Sequence, residues 1–254
     1  MISVIRRIRD WDLHRRRFVS EGLSVGLVPT MGALHGGHLA LVRAARRDND
    51  IVVVSIFVNP TQFNDPADLK RYPKSWDRDR AVAEGAGADF IFSPAGEDMY
   101  PDGYAYRVSE SRRSKMMEGE HRPGHFDGVL TVVLKLLNII RPARAYFGEK
   151  DYQQLRLIQG MVQALFMDVE IIPVATVRES DGLALSSRNA LLTGEGRSRA
   201  AAFPRYLREM SSADEARDRL VSEGFKVEYV EEIKGRRFGA VVVDEVRLID
   251  NVPL

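Results

Sequence analysis

Two histidines set three residues apart, His35 and His38, stand in the glycine-rich stretch MGALHGGH at residues 31–38. Glycine lets a main chain come close to a ligand, and the start of a helix offers free N–H groups and the positive end of a dipole to phosphate. Imidazoles there can donate hydrogen bonds to phosphate oxygens as charge builds on a departing group. Such a stretch suits a phosphate site; the bland alternative is a glycine turn with two surface histidines. As a zinc site the pair lacks a third ligand, because there is no HExxH pattern and no further His and carboxylate cluster. The dinucleotide fingerprint GxGxxG fails as well, since Gly32 is followed by Gly36 and Gly37.

Three more stretches carry suitable polar groups. SIFVNPTQF, at residues 55–63, ends an apolar run in Asn59, Pro60 and Gln62. The Gln62 amide can both donate to and accept from a hydroxy acid, or the segment is only a strand-ending turn. AYFGEKDYQQL, at residues 145–155, sets Gly148, Glu149, Lys150, Asp151 and Gln154 between a strand and a helix. Lysine is a mobile point charge for phosphate and aspartate accepts from ribose hydroxyls, whereas alone these charges would only cap a helix. DGLALSSRN, at residues 181–189, presents Ser186, Ser187 and Arg188 on a loop able to close over a triphosphate, although Ser-Ser-Arg also suits an ordinary surface loop.

Short β-branched runs at residues 23–28, 51–58, 90–92, 145–147 and 170–174 predict buried strands. Val129, Val132, Val133, Leu136, Leu137 and Ile140 recur at helical spacing and make one apolar stripe. A second helix is expected after Asp151, and residues 81–88 end another. Trp11 and Phe18 share one face of a helix near the N-terminus. Strands alternating with helices predict a doubly wound parallel α/β sheet over residues 1–176. A smaller α+β domain is expected over 177–254, with a charged helical region at 194–223 and strands at 227–233 and 240–248.

Composition narrows the partners. The 37 Lys and Arg balance the 36 Asp and Glu, so no global field favours nucleic acid or an acidic membrane surface. The chain has no Cys, which removes disulfides, thiol nucleophiles and Cys-based metal sites and fits a reducing compartment, the cytoplasm. Charges break every apolar run of the N-terminal MISVIRRIRDWDLHRRR, so no signal peptide is expected, and no stretch approaches the roughly 20 apolar residues of a membrane span.

Taken in order, VPTMGALHGGH, SIFVNPTQF, EGEHRPGHFDG, FGEKDYQQL and VRESDGLALSSRN resemble the pantothenate synthetase family, the pantoate–β-alanine ligases. The resemblance runs over about residues 22–192 and implies a Rossmann-like, nucleotidyltransferase-type fold whose HxGH motif and later flexible loop bind ATP. It implies ATP contacts from Met31, Gly32, Ala33, Leu34, His35, Gly36, Gly37 and His38. Further contacts would come from Gly148, Glu149, Lys150 and Asp151, and from Val177, Leu185, Ser186, Ser187 and Arg188. His38, His35 and Lys150 would be catalytic. Gln62 and Gln154 would hold pantoate, with Asn59 beside them and Val132 and Val133 on the pocket wall.

The implied reaction joins pantoate to β-alanine through a pantoyl adenylate, with ATP as substrate, Mg²⁺ beside it and a homodimer as the assembly. The metal ligands stay unknown. Two departures stand out: the region after Leu192 is shorter than the family's usual C-terminal domain, although VRLIDN at 246–251 resembles its ending, and Leu185 stands where many members have Met. Two rivals follow. One is a nucleotidyltransferase of the same superfamily that stops at transfer to a phosphate, against which NPTQF and GEKDYQQL argue. The other is an impaired ATP-binding protein.

Overall fold

The computed structural model describes residues 1–254, the side chain of Asp68 excepted. The chain divides into two units, one of Met1–Gly148 with Gln153–Val174 and one of Glu149–Tyr152 with Ala175–Leu254. Sequence patterning placed a single break after residue 176. The packing instead puts Ala175 in the second unit and adds to it the short turn that carries Lys150.

In the first unit the chain runs β1 (Ser3–Ile5), α1 (Ile8–Ser20), β2 (Val25–Thr30), α2 (Gly36–Asp48), β3 (Ile51–Ile56), α3 (Pro66–Arg71), α4 (Trp76–Gly85) and β4 (Phe90–Phe92). It continues through α5 (Gly96–Met99), α6 (Glu118–His121), α7 (His125–Ile140), β5 (Arg144–Gly148), α8 (Tyr152–Ala164) and β6 (Glu170–Val174). The six strands form one parallel sheet in the order β1-β4-β3-β2-β5-β6. Successive strands therefore step one way through β2, β3 and β4 and the other way through β5 and β6. The direction changes between β2 and β5, the place where open α/β sheets bind ligands at their carboxyl ends.

The centre of the sheet is apolar on both faces, with Leu27, Val28, Val52, Val53 and Val54 all fully buried. Continuous β-branched runs rather than alternating ones follow from that double cover. The expected helix face on α7 is buried throughout, and Trp11 of α1 packs edge-on to Phe90 at 5.7 Å while its Nε1 donates to the Ile140 carbonyl at 3.4 Å. Strand β1 was not anticipated: it is three residues long and lies among charges that mask its pattern.

The second unit holds α9 (Gly194–Ala200), α10 (Ala202–Glu209), α11 (Ala213–Ser222) and an antiparallel sheet of β7 (Lys226–Ile233), β8 (Arg236–Val243) and β9 (Val246–Pro253). Phe203, Leu207, Leu220, Val241 and Val252 belong to its core. The expected strand at 240–248 is a correction: it joins the end of β8 to the start of β9 across Asp244 and Glu245, whose φ values are 50° and 62°. Positive φ at both central residues is the type I′ hairpin, normally signalled by Asn-Gly or Asp-Gly. Asp-Glu hid it.

Candidate active site

Strand β2 ends at Thr30, and the next five residues turn the chain into α2. Thr30 Oγ1 donates to the Ser55 carbonyl at 2.7 Å and accepts from Gly32 N–H at 3.2 Å. Gly32 has φ 86° and Ala33 φ 51°, a left-handed pair that an L residue adopts only when held. The holder is Asp79 of α4, which is 2% exposed. Its carboxylate accepts from the N–H groups of Ala33 at 2.9 Å and Leu34 at 2.7 Å, and from Ser75 Oγ at 3.1 Å.

Helix α2 begins at Gly36, with His35 as its N-cap. His35 Nδ1 accepts from Gly37 N–H at 3.1 Å, and His38 Nδ1 accepts from His35 N–H at 3.3 Å. Two imidazoles thus build the reciprocal cap that Ser and Glu usually make. An accepting Nδ1 puts the proton of a neutral imidazole on Nε2, so both rings are Nε2–H donors. Their centroids lie 4.1 Å apart. A Cβ on Gly37 would come within 2.9 Å of the His35 ring, which accounts for glycine there.

Strand β3 leads into the 3₁₀ turn Pro60–Gln62. Asn59, expected among the substrate contacts, is 1% exposed and its amide is engaged inside the protein. Its Nδ2 donates to Gln62 Oε1 at 3.0 Å and to the Gly128 carbonyl at 3.2 Å, while its Oδ1 accepts from Thr61 Oγ1 and from the Tyr100 hydroxyl at 2.7 Å. Because Asn59 takes the Gln62 oxygen, the Gln62 NH₂ is set as the donor end. Burial pushes the Tyr100 phenol upward from its ordinary pKa, so at neutral pH it remains a donor to Asn59.

Behind the turn lies the start of α7. A Cβ at Gly128 would stand 2.5 Å from the Thr61 carbonyl oxygen and 2.8 Å from Gln62 N, so only glycine allows this approach. The Gln62 carbonyl accepts from Arg122 Nη2 at 3.3 Å and is 2.8 Å from His125 Nδ1. The EGEHRPGHFDG motif therefore braces Gln62. Val132 and Val133, further along α7, are 6% and 4% exposed. Of the neighbouring glutamines on α8, Gln153 is buried and its amide serves the Glu118 N–H and the Arg113 and Met116 carbonyls, while Gln154 is half-buried.

In the second unit, Glu149, Lys150 and Asp151 form a 3₁₀ turn with Lys150 Nζ 3.7 Å from Asp151 Oδ1. The loop holding Val177 and Leu185 closes on itself through Leu185 N–H donating to the Val177 carbonyl at 2.9 Å and a bridge between Arg178 and Ala184. Ser186 caps the short turn Ser187–Leu191 by accepting from Arg188 N–H at 3.2 Å. Arg197 binds Asp181 at 2.6 Å and Glu179 at 2.7 Å, and its hydrogen bond holds the Asp181 carboxyl below the usual carboxylate range.

Asp79, Gly128 and Tyr100 were missed from sequence. A signal for Asp79 existed: it lies on the α4 stripe with Trp76 and Ala83, where an unexplained carboxylate marks a buried partner.

A family profile described as pantoate-beta-alanine ligase matches residues 1–253. The chain belongs to the pantoate–β-alanine ligase family. A pantothenate synthetase of Bdellovibrio bacteriovorus is 56% identical over 254 residues, covering 100% of each chain. One from Legionella pneumophila is 50% identical over 250 residues, 98% of this chain and 99% of that one. Among solved structures, a pantoate-β-alanine ligase of Francisella tularensis, complexed with β-γ ATP and β-alanine, aligns with TM-score 0.94 and 41% identity over 100% of this chain and 98% of that one. The C-terminal region read as short thus has the extent of these family members.

Proposed function

We propose that this pantoate–β-alanine ligase family member condenses pantoate with β-alanine at the expense of ATP, in two steps. A pantoate carboxylate oxygen attacks the α-phosphorus and the bond to pyrophosphate breaks, giving pantoyl adenylate. The β-alanine amine then attacks the acyl carbon, AMP leaves with the electron pair of the acyl–oxygen bond, and the amine gives up a proton. One observation carries the proposal. Three of the five motifs that resemble the family, those at residues 28–38, 55–63 and 147–155, leave the carboxyl ends of β2, β3 and β5, three neighbouring strands around the point where strand order reverses. The Francisella relative's ATP analogue and β-alanine support two of the three substrates.

The roles follow from the side chains. His35 and His38, as Nε2–H donors, neutralise phosphate charge as pyrophosphate leaves; Lys150 adds a mobile positive charge; Ser186, Ser187 and Arg188 complete the phosphate grip. Gln62, its oxygen fixed by Asn59, offers its NH₂ to pantoate, and Gln154 offers a second amide. Catalysis by positioning and charge needs no protein nucleophile. Mg²⁺, as a companion of ATP, would neutralise part of its phosphate charge. Among the described residues no group of three or more His, Cys, Asp or Glu side chains makes a cage for it, so no protein ligand is assigned and no step depends on one.

No helix among the described residues is long and apolar enough to cross a membrane. A cytoplasmic homodimer is proposed, expected to sediment at twice the 28.6 kDa of the chain. Incubation with ATP, pantoate and β-alanine should release AMP and pyrophosphate together. AMP release that ignores β-alanine would refute the ligase assignment in favour of simple nucleotidyl transfer.

A further inference from the structure

The Lys150 turn and the Ser186 to Arg188 loop are far apart in the sequence, yet within the second unit both are tied to the end of β9. Asn251 is 3% exposed, and both hydrogens of its Nδ2 are engaged, one on the Glu149 carbonyl at 3.0 Å and one on the Lys150 carbonyl at 2.9 Å. Its Oδ1 accepts from Arg236 Nη1 at 2.5 Å, and Arg236 also lies 4.0 Å over the ring of Tyr152, the residue that follows the turn. The preceding residue, Asp250, is 3% exposed and receives the Arg178 guanidinium on both oxygens, at 2.6 and 3.0 Å. Arg178 in turn donates to the Gly182 carbonyl at 3.0 Å and to the Asn251 carbonyl at 3.3 Å.

We propose that Asn251 is a positioning residue that fixes the main chain under Lys150 to the same strand end that, through Asp250 and Arg178, fixes the loop leading to Ser186 and Arg188. Only an uncharged amide meets this position: it gives two donors to two carbonyls and one acceptor to a guanidinium, and a carboxylate of the same shape has no donor to give. The strand supplies the rigidity, since Asn251 and Asp250 sit in register with Phe238 and Gly239 of β8. A lysine on a three-residue turn has no such rigidity of its own. The inference rests on the proposed role of Lys150 in adenylation.

The test is pantoate-dependent exchange of labelled pyrophosphate into ATP, which reads the first step alone, in the full chain and in Asn251→Ala, with Asn251→Asp as a second variant should Ala not fold. The expected result is an exchange rate lowered by about 10- to 100-fold, as for a misplaced catalytic group, with Asn251→Ala in a Lys150→Ala background adding less than about twofold. Arg247→Ala, on the same strand but paired with Glu228, should leave exchange unchanged. Undiminished exchange in a folded Asn251 variant, or an equal loss in both backgrounds, overturns the positioning role. Absence of exchange in the unsubstituted chain overturns the ligase reading and this inference with it.

Discussion

The stretch at residues 31–38 is held mostly by its own neighbours. Gly32 is tied to Thr30, Gly37 to His35 and His35 to His38, over two or three residues, with Asp79 as a distant anchor, 45 and 46 residues on. The Lys150 turn is held the other way, by an amide 101 and 102 residues further along the chain. A catalytic motif that carries its own scaffold can be recognised from a short string. One whose scaffold lies elsewhere shows only a charge run, and its precision depends on the second unit folding.

That contrast can be broken at several points. The largest effect is expected at the imidazoles: His38→Ala should lower kcat by about 10²- to 10³-fold, as removal of a charge-stabilising donor does, while circular dichroism stays unchanged. Near-normal turnover would remove His38 from the mechanism. Asp79→Ala leaves the buried Leu34 N–H and the part-buried Ala33 N–H without the carboxylate, at a cost of about 1–3 kcal/mol for the buried one. A lowered Tm and a raised KM for ATP should appear together; a Tm drop with unchanged KM would make Asp79 a fold residue only.

Gly128→Ala forces the α7 start away from the Gln62 turn at a cost of about 1–3 kcal/mol. It should raise KM for pantoate more than KM for ATP, and an equal rise in both would detach Gln62 from pantoate. The smallest effect belongs to Asp181. Its folded-state pKa is depressed by Arg197, so it stabilises the second unit above the ordinary aspartate range and loses that contribution as pH falls through the folded value. Asp181→Asn should therefore lower Tm slightly at neutral pH, with the difference from the unsubstituted chain vanishing as pH falls below the folded value, so that the acid limb of the Tm–pH curve is flattened.

Much of this was legible in the sequence. Buried parallel strands announced themselves as unbroken β-branched runs, α7 by its stripe, and the turn into α2 by its glycines. Gln62 stood out as an amide at a strand end suited to a hydroxy acid, but pantoate itself, and the part of Gln154, came only through the family resemblance. What stayed hidden depended on distant partners. Asp79 stands out only as a carboxylate on the apolar side of α4, and Asn251 only as the last residue of VRLIDN; the main-chain groups they hold lie 45 to 102 residues away. Gln153 and Gln154 are identical in type and adjacent, and only burial separates the structural amide from the other. Asn59 read as a ligand contact because its type and place fit one, yet its amide is turned inward to orient Gln62. The β8–β9 hairpin escaped because Asp-Glu adopts a backbone that sequence rules reserve for Asn-Gly.

The proposed adenylation needs pantoate but not β-alanine. Mixing the chain with ATP and pantoate alone, at substoichiometric substrate and with rapid quench, should yield one equivalent of pyrophosphate and a pantoyl adenylate that appears as AMP and pantothenate only when β-alanine is added. Pyrophosphate formed without pantoate, or only once β-alanine is present, would contradict it.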